Sequence, residues 1–318
     1  MPIGSTISGQ LGMTIETTPG TRIAPATWKQ ILDENMSANQ TRIQPNGIGG
    51  GSRLMLASMA GVQQPSGSIN MDLAAENAAN LLRLAIGTPV TTGAGPYVHT
   101  YSPSVTAALP SATVQIGRPD TGATVRAFDY VGSRANGWEM TIAPNELVKM
   151  KYDLVAEYVD TAQTLGTPTW PTLTFFSSSA HVTVSVLGSS ECVDNLTLTG
   201  ANNLTTSNPI CATNPGRQRV QDAGFREYGG TFGKDFESLT FYNAFVAGTV
   251  GALVVTLNAG ASAQLVITGR IQFEEDNTPV MSGAGEIIKQ TTPFRFVRET
   301  TDALGFTAVL TTTTATAA

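Results

Sequence analysis

Between Ser66 and Leu73 the chain alternates without a break, with Gly67, Ile69, Met71 and Leu73 on one side and Ser66, Ser68, Asn70 and Asp72 on the other. A period of two with one polar face predicts a half-buried strand. The period then changes. Ala78, Leu81, Leu82, Ala85 and Ile86 recur at helical spacing, which predicts a helix over about 73–86, capped by Asp72 and stopped by Gly87. Further strands are predicted at Tyr97–Ser102, Thr113–Gly117, Val125–Val131 and Gly137–Ile142. The cleanest alternation sets Val148, Met150, Tyr152 and Leu154 against Lys149, Lys151 and Asp153. Upstream, Gly9–Thr21 reads as a short strand ending in a Pro-Gly turn, and Thr27–Asn35 as a brief helical turn. Ser37–Ser52 is polar and then Gly-rich, a long loop without apolar periodicity.

The stretch Gln163–Pro171 carries two Pro and a Gly and marks a boundary. Beyond it, strands are predicted at Val182–Val186, Leu196–Thr199 and near Gly224–Asp235, with Ala201–Pro215 polar between them. Asp235 is expected to cap a second helix over about 236–247, with Leu239, Tyr242 and Val246 on its apolar face and Gly248 as its stop. Strands at Ala252–Asn258, Gln264–Glu274 and Phe294–Arg298 complete the series, and the Thr-rich C-terminal tail is expected to fray.

The order of parts repeats. Gly61 and Gly224 are 163 residues apart, and so are Asp72 and Asp235; the Gly-Thr pairs after the two helices, at Gly87 and Gly248, are 161 apart. Half the chain is 159 residues. Two tandem copies of one strand–helix β unit account for the match. The predicted fold is mostly β: two β-sandwich or barrel units, residues 1–160 and 161–318, each with a flanking helix.

Composition supports an ordered β protein. The 44 threonines outnumber the 18 Lys and Arg and 24 Asp and Glu taken together, and β-branched Thr suits a pleated surface. A net charge of −6 argues against a protein that grips nucleic acid with a basic stripe. The N-terminus lacks the pattern of a secretory signal, and no apolar run is long enough to span a membrane. Catalytic and metal-binding patterns are scarce. With His99 and His181 the only histidines and Cys192 and Cys211 the only cysteines, no catalytic residue, metal site or cofactor is assigned. The two histidines read as packing or surface residues and the two cysteines as reduced thiols. GIGGGSR at 47–53 lacks the Lys and hydroxyl of a phosphate loop, and GGTFGKD at 229–235 reads as a strand with close backbone packing. The acidic run 274–277 lacks the ligand spacing of a calcium loop and reads as a solvated turn.

GQLGMTIETTPGT near the start, GAGPYVHTYSP at 93–103, VQIGRPDTG at 114–122, and FREYGGTFGKDF followed by YNAF at 225–245 occur in this order. Together they resemble the major tail tube proteins of long-tailed, non-contractile, siphovirus-type bacteriophages. The resemblance implies a structural virion protein. Its subunits close into rings, and the rings stack into a hollow tube that conducts the genome. It implies assembly with itself, with a tape measure protein inside the tube and with a tail terminator and tail tip proteins at its ends. It also implies that DNA passes without specific binding, and the chain is expected to stay in the host cytoplasm before assembly.

Two units per chain then predict a ring of three chains with pseudo-sixfold symmetry. The polar face of the pre-helix strands is expected to line the lumen: Gln64, Ser66, Ser68, Asn70 and Asp72 in the first half, Glu227, Thr231 and Asp235 in the second. The loop containing Asn46, Gly49, Gly50 and Arg53 is expected between rings. Arg53, Arg217, Arg219 and Arg226 are expected to pair with carboxylates such as Glu227 or to sit at ring contacts. Other readings of the composition are a capsid decoration or tail-tip protein, or a carbohydrate-binding β-sandwich that stacks sugar on Trp138 and Trp170.

Overall fold

A computed structural model of the chain describes residues 5–47, 54, 57–104, 107–122, 124–208, 219–274, 277–281, 283, 285–298 and 305–315. In chain order, a 3-10 turn at Thr6–Ser8 precedes β1 (Gln10–Ile15), β2 (Thr27–Lys29), β3 (Asp33–Glu34), β4 (Arg42–Ile43), β5 (Met59–Ala60), β6 (Ser66–Asp72) and α1 (Ala75–Ala85). Next come β7 (Val90–Thr92), β8 (Tyr97–Tyr101), β9 (Ala112–Pro119), β10 (Val125–Ile142), β11 (Lys149–Val155) and β12 (Tyr158–Asp160). The second half holds α2 (Ser178–His181), β13 (Val182–Val186), β14 (Ser189–Glu191), β15 (Asn195–Ala201), β16 (Leu204–Ser207), β17 (Arg219–Asp222) and β18 (Glu227–Asp235). It ends with α3 (Thr240–Val246), β19 (Val250–Asn258), β20 (Gln264–Phe273), β21 (Lys289–Phe296) and β22 (Phe306–Thr312).

The protein is mostly β, built of large antiparallel sheets. The pairings β1–β2, β1–β9, β9–β10, β10–β11, β11–β6 and β6–β3 make one series. The pairings β13–β14, β13–β19, β19–β20, β20–β21, β21–β18 and β18–β15 repeat it in the same order. Register repeats too. Asp72 lies opposite Lys149, and Asp235 opposite Lys289. The halves interlock through β10–β15 and through β8–β22.

The two strands predicted at Val125–Val131 and Gly137–Ile142 are one strand of 18 residues, β10. Its first part pairs with β9 and β12 and its last part with β11 and β15, so one strand serves two sheets. The change comes at Gly132, whose φ of +69° is left-handed, and at a break in register between Tyr130 and Ser133. An added Cβ at Gly132 would meet Glu157 Cγ at 2.6 Å.

α1 keeps its predicted stripe, but it is buried nearly all round, with Asn77 and Asn80 as inaccessible as Leu81 and Leu84. Asp72 does not cap it. The β6 ladder runs through Asp72 to Lys149, which leaves that carboxylate on the open face of the sheet; the cap position is Ala74, and Ala75 N–H donates to the carbonyl of Thr174 instead. The other end is closed from the second half. Asn202 Nδ2 and Tyr228 Oη donate to the Ala85 carbonyl, and Arg226 Nη1 to that of Ile86.

Four further expectations change. Thr27–Asn35 holds β2 and β3 rather than a helical turn. Asp235 is held in β18 opposite Lys289, so α3 begins at Thr240 with Leu239 as an uncapped start. α3 buries Phe241 and Ala244, while Leu239 and Val246 are exposed. The rotation follows from an aromatic cluster: the Phe241 ring meets Phe232 at 5.3 Å and Phe273 at 5.8 Å. The Thr-rich tail is tied down in its described part, because Thr311 and Thr312 belong to β22, and the Thr314 carbonyl bonds His99 Nε2.

Candidate functional site

The register across six strands places one open surface on the molecule. Asn70, Lys151, Glu139, Thr199, Gly229 and Arg295 are neighbours in successive strands from β6 to β21. The next row is Asp72, Lys149, Thr141, Thr197, Thr231 and Pro293. Their neighbours in sequence, such as Ile69, Met71, Met140, Met150, Tyr152, Leu198 and Phe232, point the other way and are buried. Alternation therefore leaves a broad face with almost no large apolar side chain.

Charge on this face is balanced locally. Lys149 pairs with Glu146, Lys151 Nζ with Asp153 at 3.3 Å, Lys289 with Asp194 and Asp235, and Arg295 with Glu274. Hydrogen bonding to Glu146 raises the Lys149 pKa above the usual lysine value, and hydrogen bonding to Asp194 and then Asp235 raises that of Lys289. Glu139 and Glu227 add carboxylates without adding cations. The middle of the second half is lean. Gly229 and Gly230 lie so close to neighbouring backbone that an added Cβ would meet Phe294 O at 2.5 Å and Thr197 O at 2.1 Å.

Most of the residues expected on a lumenal face lie on this surface. Ser66, Asn70, Asp72, Glu227, Thr231 and Asp235 are exposed or half-buried along β6 and β18. Ser68 is covered: its N–H and hydroxyl both meet Asn35 Oδ1. Gln64 precedes β6 and donates its backbone N–H to Ala38. Sequence reading missed the middle of the face, Glu139, Thr141, Thr197 and Thr199. The signal was the alternation around Lys149 and Lys151, which shares its polar side with β6 only once strand order is known.

Asn46 follows the two-stranded hairpin strand β4, where Arg42 faces Ala60 and Ile43 faces Met59. Gly49, Gly50, Arg53, Arg217 and Cys211 lie outside the described residues. Arg226 pairs with Asp222 at 3.7 Å rather than with Glu227, because its guanidinium turns inward to the end of α1. Arg219 begins β17 at the surface. Trp138 is buried among Tyr228 and Phe306 and cannot stack on a sugar; Trp170 is 44% exposed with its edge on Trp28. His99 is fully buried, and Thr91 Oγ1 holds its Nδ1 at 2.7 Å.

This surface of paired charges and threonines does not by itself name a role, and the family comparison supplies one for the chain. Residues 6–296 match the model of a family described as phage tail tube protein. The chain belongs to the phage tail tube protein family. It is thus a structural subunit of a virion tail. No curated protein matches the chain significantly. For a tail tube protein the broad polar sheet is the surface of interest, and the interlocked halves are the frame that holds it.

Proposed function

We propose that three copies of this chain close into a pseudo-sixfold ring and that rings stack into the hollow tail tube of a siphovirus-type phage. In this reading residues 1–160 and 161–318 are tandem tail-tube units. The recurrence of six strand pairings in the same order supports it, as does the matching register of β6 with β11 and β3 and of β18 with β21 and β15. The open face from β6 to β21 lines the lumen. The single observation that carries this is the pairing of each described Lys and Arg on that face with a carboxylate.

DNA is held by Lys and Arg through release of its counterions. A conduit repeats every contact in every ring, so even weak retention would multiply along its length. Cations already paired within the face leave a lumen that is neutral to acidic and lets DNA pass. The hairpin of β4 and β5 exposes Ile43 and Met59 and serves as the contact between rings. The same reading places the tape measure protein in the lumen and a terminator and tip complex at the tube ends. The chain waits in the host cytoplasm before assembly.

Rotational symmetry measured on tubes assembled from the purified protein tests the proposal. Threefold rings with a pseudo-sixfold inner wall are expected. A ring of six chains, or an inner wall made of any other face, would falsify it.

A further inference from the structure

The β10–β15 junction between the two halves is complete inside the chain, and the counterparts of its two sides recur apart from each other, at β3 and near Val280. β15 pairs with β18 on one edge and with the last part of β10 on the other. Register makes β3 the counterpart of β15. Asp33 faces Asn70 as Asn195 faces Gly233, and Ser37 bridges Ser66 as Thr199 faces Gly229. Among the described residues, β3 pairs with β6 alone. No strand takes the corresponding edge of β3 among the described residues; side chains cover it instead, with the Met36 carbonyl accepting from Arg118 Nη2 at 2.7 Å and from Tyr130 Oη at 2.8 Å, so a strand added there must displace them.

The missing partner has a counterpart too. In the first half β10 runs along β11 from Ala135 opposite Leu154 to Thr141 opposite Lys149. In the second half the contacts Phe273 with Phe294 and Val280 with Lys289 frame the same stretch, longer by one residue. The Asn277 carbonyl holds Gln290 Nε2 on the way. The outer edge that takes β15 in the first half takes no strand here among the described residues. Val280 is 71% and Met281 83% exposed.

We infer that Asn277–Met281 of one copy adds as a strand along Asp33–Ser37 of a second copy, repeating between chains the β10–β15 pairing found within one. This rests on the tube reading above and names the chain-to-chain edge within a ring. Register carried over from Thr141 opposite Thr197 places Val280 opposite Asn35, and Met281 opposite Glu34. A groove of about 700 Å³ adjoins that position, with exposed Ile7, Leu32 and Trp170 at its rim, and receives the Met281 side chain.

The interface is heterologous, so it runs head to tail and closes only as a ring. The waiting edge is guarded. Met36 N–H is taken by Glu34 Oε2 at 2.9 Å, and Arg118 grips both oxygens of Glu34. A carboxylate in place of a strand partner blunts an edge against premature pairing.

Paired cysteines test the edge, since opposed residues of antiparallel strands lie within disulfide reach. Asn35→Cys and Val280→Cys are placed in separate chains whose Cys192 and Cys211 are changed to Ser, mixed, allowed to assemble and oxidised with glutathione disulfide. A second pair, Ser37→Cys with Thr278→Cys, leaves the Asn35 hydrogen bonds to Ser68 intact. Each pair should give a cross-linked dimer on a non-reducing gel in the mixture alone, at least tenfold above Val280→Cys mixed with Asn258→Cys. Electron microscopy of the same samples separates the two claims. Tubes without a cross-link from either pair overturn the edge and leave the tube reading standing. Rings with the cross-link that never stack support the edge and overturn the tube. Neither rings nor cross-link overturns both.

Discussion

Glu16 is buried, yet every group it meets is a donor. Its Oε1 accepts from Gly132 N–H and Thr113 Oγ1, both at 2.8 Å, and its Oε2 from Gly20 N–H at 2.8 Å and Ser111 Oγ at 2.7 Å. These four come from the turn after β1, from β9 and its lead-in, and from the left-handed glycine where β10 passes between sheets. Glu16→Gln keeps the shape and removes one acceptor. Whichever oxygen becomes the amide, one backbone N–H faces it, and a backbone N–H cannot turn away as a hydroxyl can. The hydroxyl of Thr113 has little freedom in any case, since it accepts Ile23 N–H at 3.1 Å. Hydrogen bonds to charged groups are worth about 1.5–3 kcal/mol, and an unpaired buried donor costs about as much again. The expected loss is therefore about 2–4 kcal/mol from an isosteric change. With a urea m-value of about 3 kcal/mol/M, the unfolding midpoint of unassembled protein should fall by about 1 M. Fluorescence of buried Trp28 and Trp138 reports it. A shift below about 0.2 M would refute the argument that the all-donor environment fixes this site.

Two further outcomes follow from the same structure. Burial lowers the Lys29 pKa to about 8, below its value in an unfolded chain, so between about pH 8 and 10 the unfolded state holds a proton the native state lacks and stability should rise with pH by about 3 kcal/mol; Lys29→Met should remove that rise, and equal pH slopes for the two proteins in urea unfolding would refute it. Thr231→Lys puts an unpaired cation on the open face, so assembled tubes of this variant should retain DNA at 50 mM salt and release it by 200 mM, whereas retention no different from the unsubstituted tubes would argue that this face does not meet DNA.

What the sequence showed clearly was periodicity sustained over many residues. The alternation at 66–73 became β6, the helical spacing after it became α1, and the offset of 163 residues reappeared as Asp72 and Asp235 facing equivalent lysines. Short elements stayed hidden. Two- and three-residue strands such as β2 and β3 have no period to read, and only their partners β1 and β6 make them strands. The seven residues of α3 are too few for one face to declare itself, and the Phe232–Phe273 cluster chose Phe241 over Leu239 and Val246. β22 carried a legible signal in Phe306, Ala308 and Leu310, which are all buried, but the threonine run after them drew attention to composition instead. The open face was the least visible, because it depends on the order of six strands that are far apart in sequence.

The two halves contribute differently to that face, and this difference bears on why one chain carries both. The first half supplies charge in its middle, with Glu139, Lys151 and Asp153 on β10 and β11, in addition to Asp72 and Lys149 at the strand ends. The second half supplies Thr197, Thr199, Thr231 and glycines in the middle and keeps its charges, Glu227, Asp235, Lys289 and Arg295, toward the strand ends. A ring of six identical units would repeat one pattern every sixth of a turn. In the proposed ring, three two-unit chains would instead alternate a charged sector with a threonine and glycine sector. In the charged sector each lysine stands beside a carboxylate and Glu139 adds a further negative charge, so the sector offers DNA no unpaired cation. In such a tube a DNA strand would meet a wall of alternating texture with no site that repeats closely enough to hold it.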